Sequence, residues 1–305
     1  MKKKLMAMIF MMCALVMGAC DRLTVFDPKG PVAKTQANTI LLSMGIVFGV
    51  LLVVYILYVV ILVKYRSGNM PEDYEPPHEE GSKLLEFIWT AIPVIIVIML
   101  SVITVKSTNA VETVPKGHEH DKPLIIYASS SDWKWHFSYP EQGIETVNYV
   151  DIPTNRDVEF RLYSYGPITS FWVPQLAGQK YAMSDMVTKL NIVANEDGSY
   201  LGKNSNFSGK GFAGMNFEVQ AMGTNEFNKW VKDVKDTAPK LTKKEFNTLL
   251  EPGQLGRMTF SSTHLTFSPP PGDMSNGHGH NMDMNMNMDS STSGKDGHNM
   301  EGMSK

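Results

Sequence analysis

Two long apolar runs constrain this chain more than any other feature. From Thr39 to Val63 there is no charged residue, and as a helix that run covers roughly 35 Å, against a bilayer hydrocarbon core of about 30 Å. Backbone groups placed in lipid must be satisfied within their own segment, so the run is predicted to be helical. Leu84 to Val105 forms a second run, with Trp89 near one end and Pro93 inside it. Membrane helices tolerate such a proline, and an aromatic ring near a run's end suits the interface. The two runs predict a transmembrane hairpin, 39–63 and 84–105, joined by a loop at 64–83.

Ahead of the hairpin, Lys2, Lys3 and Lys4 precede an apolar stretch from Leu5 to Val16, and Gly18 and Ala19 lead into Cys20. This is the pattern of a secretory signal. Met17 to Cys20 resembles the bacterial lipobox, which predicts a lipidated, palmitate-bearing Cys20 after removal of residues 1–19; an ordinary signal with an incidental cysteine is the alternative. Cys13 and Cys20 are the only cysteines. Once the signal is removed, the exported part has no thiolate for a metal and no disulfide. Basic residues flank both ends of the hairpin almost equally (Lys64, Arg66 and Lys83 against Lys29, Lys34 and Lys106), so they do not orient it. The signal does, placing 64–83 in the cytoplasm and everything after Val105 outside. Glu86, at the cytoplasmic end of the second run, either reaches to the interface or belongs to a proton route.

Beyond a linker at 106–123 the pattern becomes short β-prone runs punctuated by Gly and Pro. They include Leu124 to Ala128, Trp133 to Tyr139, Val158 to Leu162, Val187 to Val193 and Asn216 to Ala221. This predicts an all-β sandwich or Greek-key barrel over 124–223. Phe227 to Lys232 and Lys243 to Leu250 read as short amphipathic helices, the second capped by Thr242, within an appended 224–267 that also supplies a final strand. Residues 268–305 are rich in Gly, Asn, Ser, Met and His and build no core, so disorder is expected. His278, His280, Met282 and Met284 in that tail are of the kind that Cu(I) accepts. A formal charge of −3 supplies no basic surface for nucleic acid.

The two apolar runs, the segment Leu85 to Pro93 and the segment Trp133 to Phe137 together resemble subunit II of haem-copper oxidases, over most of 37–222. That resemblance implies a cupredoxin-like sandwich. In relatives that accept electrons from cytochrome c, it holds a dinuclear copper centre built from a His before a Trp and Val-Pro segment, then Cys-x3-Cys-x3-His-x2-Met. Thr169 stands at the first His position, Asn204 and Ser208 at the two Cys positions, Phe212 at the second His, and Met215 alone survives. One thioether does not hold two coppers. Such departures, with the lipobox and the segment Phe26 to Pro31, mark the quinol-oxidising branch.

The resemblance implies a bacterial cell-membrane complex that oxidises quinol, reduces O2 to water and translocates protons, with haem and copper in subunit I. This chain would bind no cofactor, and subunit I, further oxidase subunits, membrane lipid and the quinol pool would be its partners. It would be lipid-anchored through external residues 20–38, with its large C-terminal domain on the outer face. Phe212 and Met215 read as core, Trp133 and Trp135 as packing groups, and Glu86 stands where the family has a carboxylate at the mouth of a proton pathway. The alternative from another class is a membrane-anchored lipoprotein that takes up copper through its tail.

Overall fold

The structure is a computed structural model describing residues 23–66, 81–115, 117–118 and 122–272. Helix α1 spans Pro31–Lys64 and α2 spans Lys83–Glu112. Both are long and apolar enough to cross a membrane, and most of their large side chains are exposed. Each extends beyond its apolar run. Pro31 sits at the N-terminal end of α1, where its missing N–H costs nothing, and the sandwich buries Val32, Ala33 and Ala37. At the far end α2 runs on to Glu112, through the start of the expected linker, where Glu112 meets Lys180 Nζ at 2.5 Å. The hydroxyls of Thr39 and Ser107 join the helices at 2.9 Å.

Eleven strands follow among the described residues. One sheet has the order β11-β3-β2-β1-β5-β8 and the other β4-β10-β9-β6-β7. The first contains β1 (Leu124–Ser131), β2 (Lys134–Tyr139), β3 (Ile144–Val147), β5 (Val158–Ser164), β8 (Thr188–Ile192) and β11 (Met258–Phe260). The second contains β4 (Tyr149–Pro153), β6 (Thr169–Trp172), β7 (Lys180–Ala182), β9 (Gly198–Asn204) and β10 (Asn216–Met222). Pairing is antiparallel except for β1 with β5 and β4 with β10. Only Asn148 separates β3 from β4, and it turns the corner between sheets with φ of 58°, a conformation that Asn tolerates. Its Oδ1 accepts the Trp135 N–H at 2.9 Å.

Inward-facing side chains from both sheets meet in an aromatic core. Phe171 stacks on Phe217 at 4.9 Å and receives the edge of Trp135 at 5.3 Å, with Phe137 and Phe160 alongside. Fully burying each such ring contributes about 1.5–3 kcal/mol. Gly202 on β9 faces that core because a Cβ there would meet the Phe217 ring at 2.1 Å. Helices α3 (Thr224–Thr237) and α4 (Lys243–Leu250) complete the domain. Phe227, Val231 and Val234 of α3 face inward, at the i, i+4, i+7 spacing of one helical face.

The hairpin is joined to the sandwich by backbone hydrogen bonds. Lys29 N–H donates to Gln175 O, Asn195 N–H to Lys29 O, and Ala33 N–H to Leu176 O. Gly30 lies so close that a Cβ would meet Val193 O at 2.4 Å, so only glycine permits the crossing.

Candidate functional site

The five positions of the degenerate copper pattern lie on three neighbouring pieces of chain. Thr169 opens β6, Asn204 ends β9, and Ser208, Phe212 and Met215 lie on the loop from β9 to β10. Asn204 organises them. Its Oδ1 accepts the N–H of Ser170 at 2.8 Å and of Asn206 at 3.0 Å, and its Nδ2 donates to Ser208 Oγ at 2.9 Å. Its backbone N–H reaches Met215 O at 3.0 Å. Thr169 Oγ1 meets Ser130 Oγ on β1 at 2.7 Å. Thr169, Asn204 and Ser208 are all buried.

Trp133, held at φ of 70°, closes the loop from below and donates from Nε1 to Ser208 O at 3.2 Å. Gly211 passes so close to its indole that a Cβ would sit 2.4 Å from the ring. Met215 is in the core at 1% exposure. Phe212, expected in the core, is not. It lies half-buried in a single 3-10 turn, Phe212–Gly214, with its ring against Phe207, which is 73% exposed. The side of the loop that would carry the second imidazole faces outward, and apolarity alone does not pull a ring into a core already filled by Met215.

These groups do not fit a dinuclear copper centre. Thiolate-bridged copper takes soft donors. Here the buried polar groups are a side-chain amide and two hydroxyls: Asn204 is committed to Ser208 and two backbone N–H groups, and Thr169 to the Ser130 hydroxyl. No cluster of three or more His, Cys, Asp or Glu placed to hold a metal ion occurs among the described residues.

A second polar cluster lies on the outer face of the first sheet, covered by α4 and the C-terminal segment, and was not singled out in the sequence. Glu145 on β3 and His264 in the C-terminal segment are completely buried. Glu145 Oε2 accepts from Ser138 Oγ at 2.9 Å, from His264 N–H at 2.9 Å and from His264 Nδ1 at 2.8 Å. Tyr163 OH lies 2.7 Å from His264 Nε2. With Nδ1 protonated toward Glu145 and Nε2 accepting from Tyr163, a single tautomer satisfies the ring. Phe246 of α4 stacks on it at 4.3 Å and 9°. Burial pushes the Glu145 carboxyl up, but the His264 imidazole, its hydrogen bonds and His136 outweigh that and hold it below its usual range. His136 bonds Ser131 Oγ at 3.0 Å, and burial pushes its pKa down to about 3. Asp151 on β4 goes the other way, raised by burial to about 7.

Glu86 is exposed in the first turn of α2, which is capped by Ser82 Oγ accepting Leu85 N–H at 3.5 Å. A carboxylate in that turn is favoured by the helix dipole whatever else it does. Trp135 is fully buried, and Trp133 is partly so. Residues 1–22, including Cys20, most of the loop at 64–83, and the tail positions His278, His280, Met282 and Met284 lie outside the described residues.

Residues 29–106 match the family described as "Cytochrome C oxidase subunit II, transmembrane domain". The chain is 50% identical over 268 residues to "Quinol oxidase subunit 2" of Bacillus cereus, covering 88% of this chain and 92% of that one. It is 45% identical over 267 residues to the protein of the same description from Bacillus subtilis, covering 87% and 83%. Among solved structures, the periplasmic domain of subunit II of cytochrome oxidase from Bradyrhizobium japonicum aligns at 23% identity and a TM-score of 0.38, covering 41% of this chain and 98% of that domain.

Proposed function

From the premise that this chain belongs to the quinol oxidase subunit 2 family, as a membrane subunit of a respiratory oxidase, we propose a role without electron transfer of its own. The complex oxidises membrane quinol, reduces O2 to water at haem and copper carried by subunit I, and translocates protons. This chain holds no redox metal and stabilises subunit I.

The observation that carries this reading is the state of Asn204. An amide that accepts two backbone N–H groups and donates to Ser208 has become part of the fold where a thiolate would bridge metals. Electrons therefore do not pass through the sandwich. In the proposed topology both helices span the bilayer, 64–83 is cytoplasmic, the sandwich is on the outer face, and Cys20 carries lipid after removal of 1–19. Glu86 then sits at the cytoplasmic end of α2, where a carboxylate takes protons from the aqueous phase and passes them toward subunit I.

The test is to purify the complex through a tag on this chain. O2 consumption is measured with a reduced quinol and with reduced cytochrome c, alongside haem and copper counts. Turnover with quinol alone, with haem present and copper confined to the oxygen-reducing centre, is the expected result. Oxidation of cytochrome c, or recovery of the chain without haem-bearing partners, sinks the assignment.

A further inference from the structure

A cavity of about 410 Å³ opens where α1 begins and α2 ends, lined by Lys34, Thr35 and Asn38 of α1 with Ala110 of α2 and Pro115 beyond it. No carboxylate lines it. The lysines nearby are taken, Lys29 by Glu196 at 2.9 Å and Lys180 by Glu112 at 2.5 Å. Lys34 is exposed and has no anionic partner among the described residues. Neither has Lys106, exposed on α2 one turn from Ala110 and so on the same side of that helix. The Thr39–Ser107 contact at 2.9 Å sets the two helices side by side at this level, and the uncharged run of α1 begins at Thr39. Both lysines therefore stand at the edge of the apolar region, where a four-carbon stem lies on apolar surface and the ammonium group reaches the polar side. Below the cavity, the face of α1 that carries Asn38 continues through Gly45 and Gly49, at the i+7 and i+11 spacing of one helical face. A Cβ at either glycine would meet nothing within 4 Å. An open apolar track, flanked by the exposed Leu41 and Leu52, thus runs from the cavity along the helix.

We propose that this cleft binds an anionic phospholipid, with its phosphate between Lys34 and Lys106, its headgroup against the Asn38 amide and one acyl chain along Gly45 and Gly49. Charge selects the occupant. Two cations that no protein carboxylate neutralises, set at the top of an apolar track, match a ligand with a negative head and a hydrocarbon tail. A partner's apolar helix would cover the track and leave both ammonium groups unpaired at the membrane edge. A zwitterionic lipid carries its own cation beside the phosphate and gains less from the two lysines. The site is one of binding only, without a part in the redox chemistry. It rests on the reading of α1 and α2 as membrane spans given above.

The probe is phosphatidylglycerol carrying a diazirine near the top of one acyl chain, applied to the intact purified complex, with labelled peptides mapped by mass spectrometry. Label is expected on residues 34–45 and 106–115 of this chain, and unlabelled phosphatidylglycerol should chase it while phosphatidylcholine does not. Lys34→Gln is expected to lower labelling about fivefold, the factor that about 1 kcal/mol for one lysine at a lipid surface represents, whereas Lys34→Arg keeps it. Lys106→Gln, a change on an exposed helix face, gives a similar loss and serves if the first variant fails to assemble with haem. Label that both glutamine variants leave unchanged overturns the proposal. So does label that phosphatidylcholine displaces as well, or label confined to partner subunits, as when a partner side chain fills the cleft. Phosphatidylcholine with a diazirine at the end of its chain separates this site from the reading beneath it. If that lipid labels α1 or α2 while the first probe leaves the cleft unlabelled, the headgroup site fails and the spans stand. If it labels neither helix, the span reading fails and the site falls with it.

Discussion

The sandwich holds two buried polar clusters that differ in one respect. The loop cluster of Thr169, Asn204 and Ser208 is neutral, whereas the cluster of Glu145, His264, His136 and Tyr163 beneath α4 contains a carboxylate and two imidazoles. Both satisfy their polar groups chiefly with protein partners. The neutral cluster joins β6, β9 and the loop that follows, with one hydroxyl contact across to β1, and removing a member costs hydrogen bonds alone. The charged one ties β3 to a segment 119 residues further on, and losing a partner leaves a buried charge or ring behind. The difference teaches that the loop between β9 and β10 is the less demanding of the two, and that the C-terminal segment is the one held by electrostatics.

The largest expected effect breaks the charged side. Glu145→Ala removes the acceptor for Ser138 and for both His264 donors, and should destabilise the domain by roughly 3–5 kcal/mol, read from thermal unfolding of the purified chain in detergent.

Next comes pH. His136, depressed to about 3, contributes stability that is complete above about pH 6.5 and lost as pH falls toward 3. Asp151, raised to about 7, contributes stability that is complete below its ordinary value of 3.8 and lost as pH rises through 7. Between pH 4 and 6 the two slopes oppose and nearly cancel. His136→Gln should leave stability falling with pH by about 3 kcal/mol over that interval, and Asp151→Asn should leave it rising by about as much. Flat profiles in both variants would show that burial does not set these two groups.

On the neutral side, Asn204→Ala strands the Ser170 and Asn206 N–H groups and should cost about 2 kcal/mol, equally at pH 5 and pH 8. A loss that depends on pH over that range would erase the contrast between the clusters. The smallest effect belongs to Thr169→Val, which leaves Ser130 Oγ without its 2.7 Å partner and should cost about 1 kcal/mol by the same unfolding measurement.

Much of the fold was legible because it rests on local pattern. The apolar runs announce α1 and α2, Val158 to Leu162 alternates as a strand should, and Thr242 caps α4 by accepting Glu245 N–H at 3.2 Å. Strands β3, β4, β6, β7 and β9 were not legible. They are short, and β9 carries Gly202 in its middle, which reads as a turn until the Phe217 ring is seen to occupy the missing side chain's place. At the site, Met215 in the core follows from its apolarity, while Phe212 on the outer side of the loop does not. The pairing of Asn204 with Ser208 had a signal, two short polar residues four apart. The Glu145–His264 pair had none, because the contact is made only by the tertiary fold.

The triple engagement of Asn204 also bears on reversibility. Building a metal centre here requires new ligands at several positions, yet the first step, exchanging Asn204 for a thiol, removes the acceptor of two backbone N–H groups before any metal can compensate. Each intermediate chain would fold less well than the one before it, with nothing bound in return. The loop thus behaves as a one-way valve in sequence space: with the amide carrying the loop's internal bonding, single changes toward metal ligands lead downhill in stability, and only a concerted set would reach a copper centre.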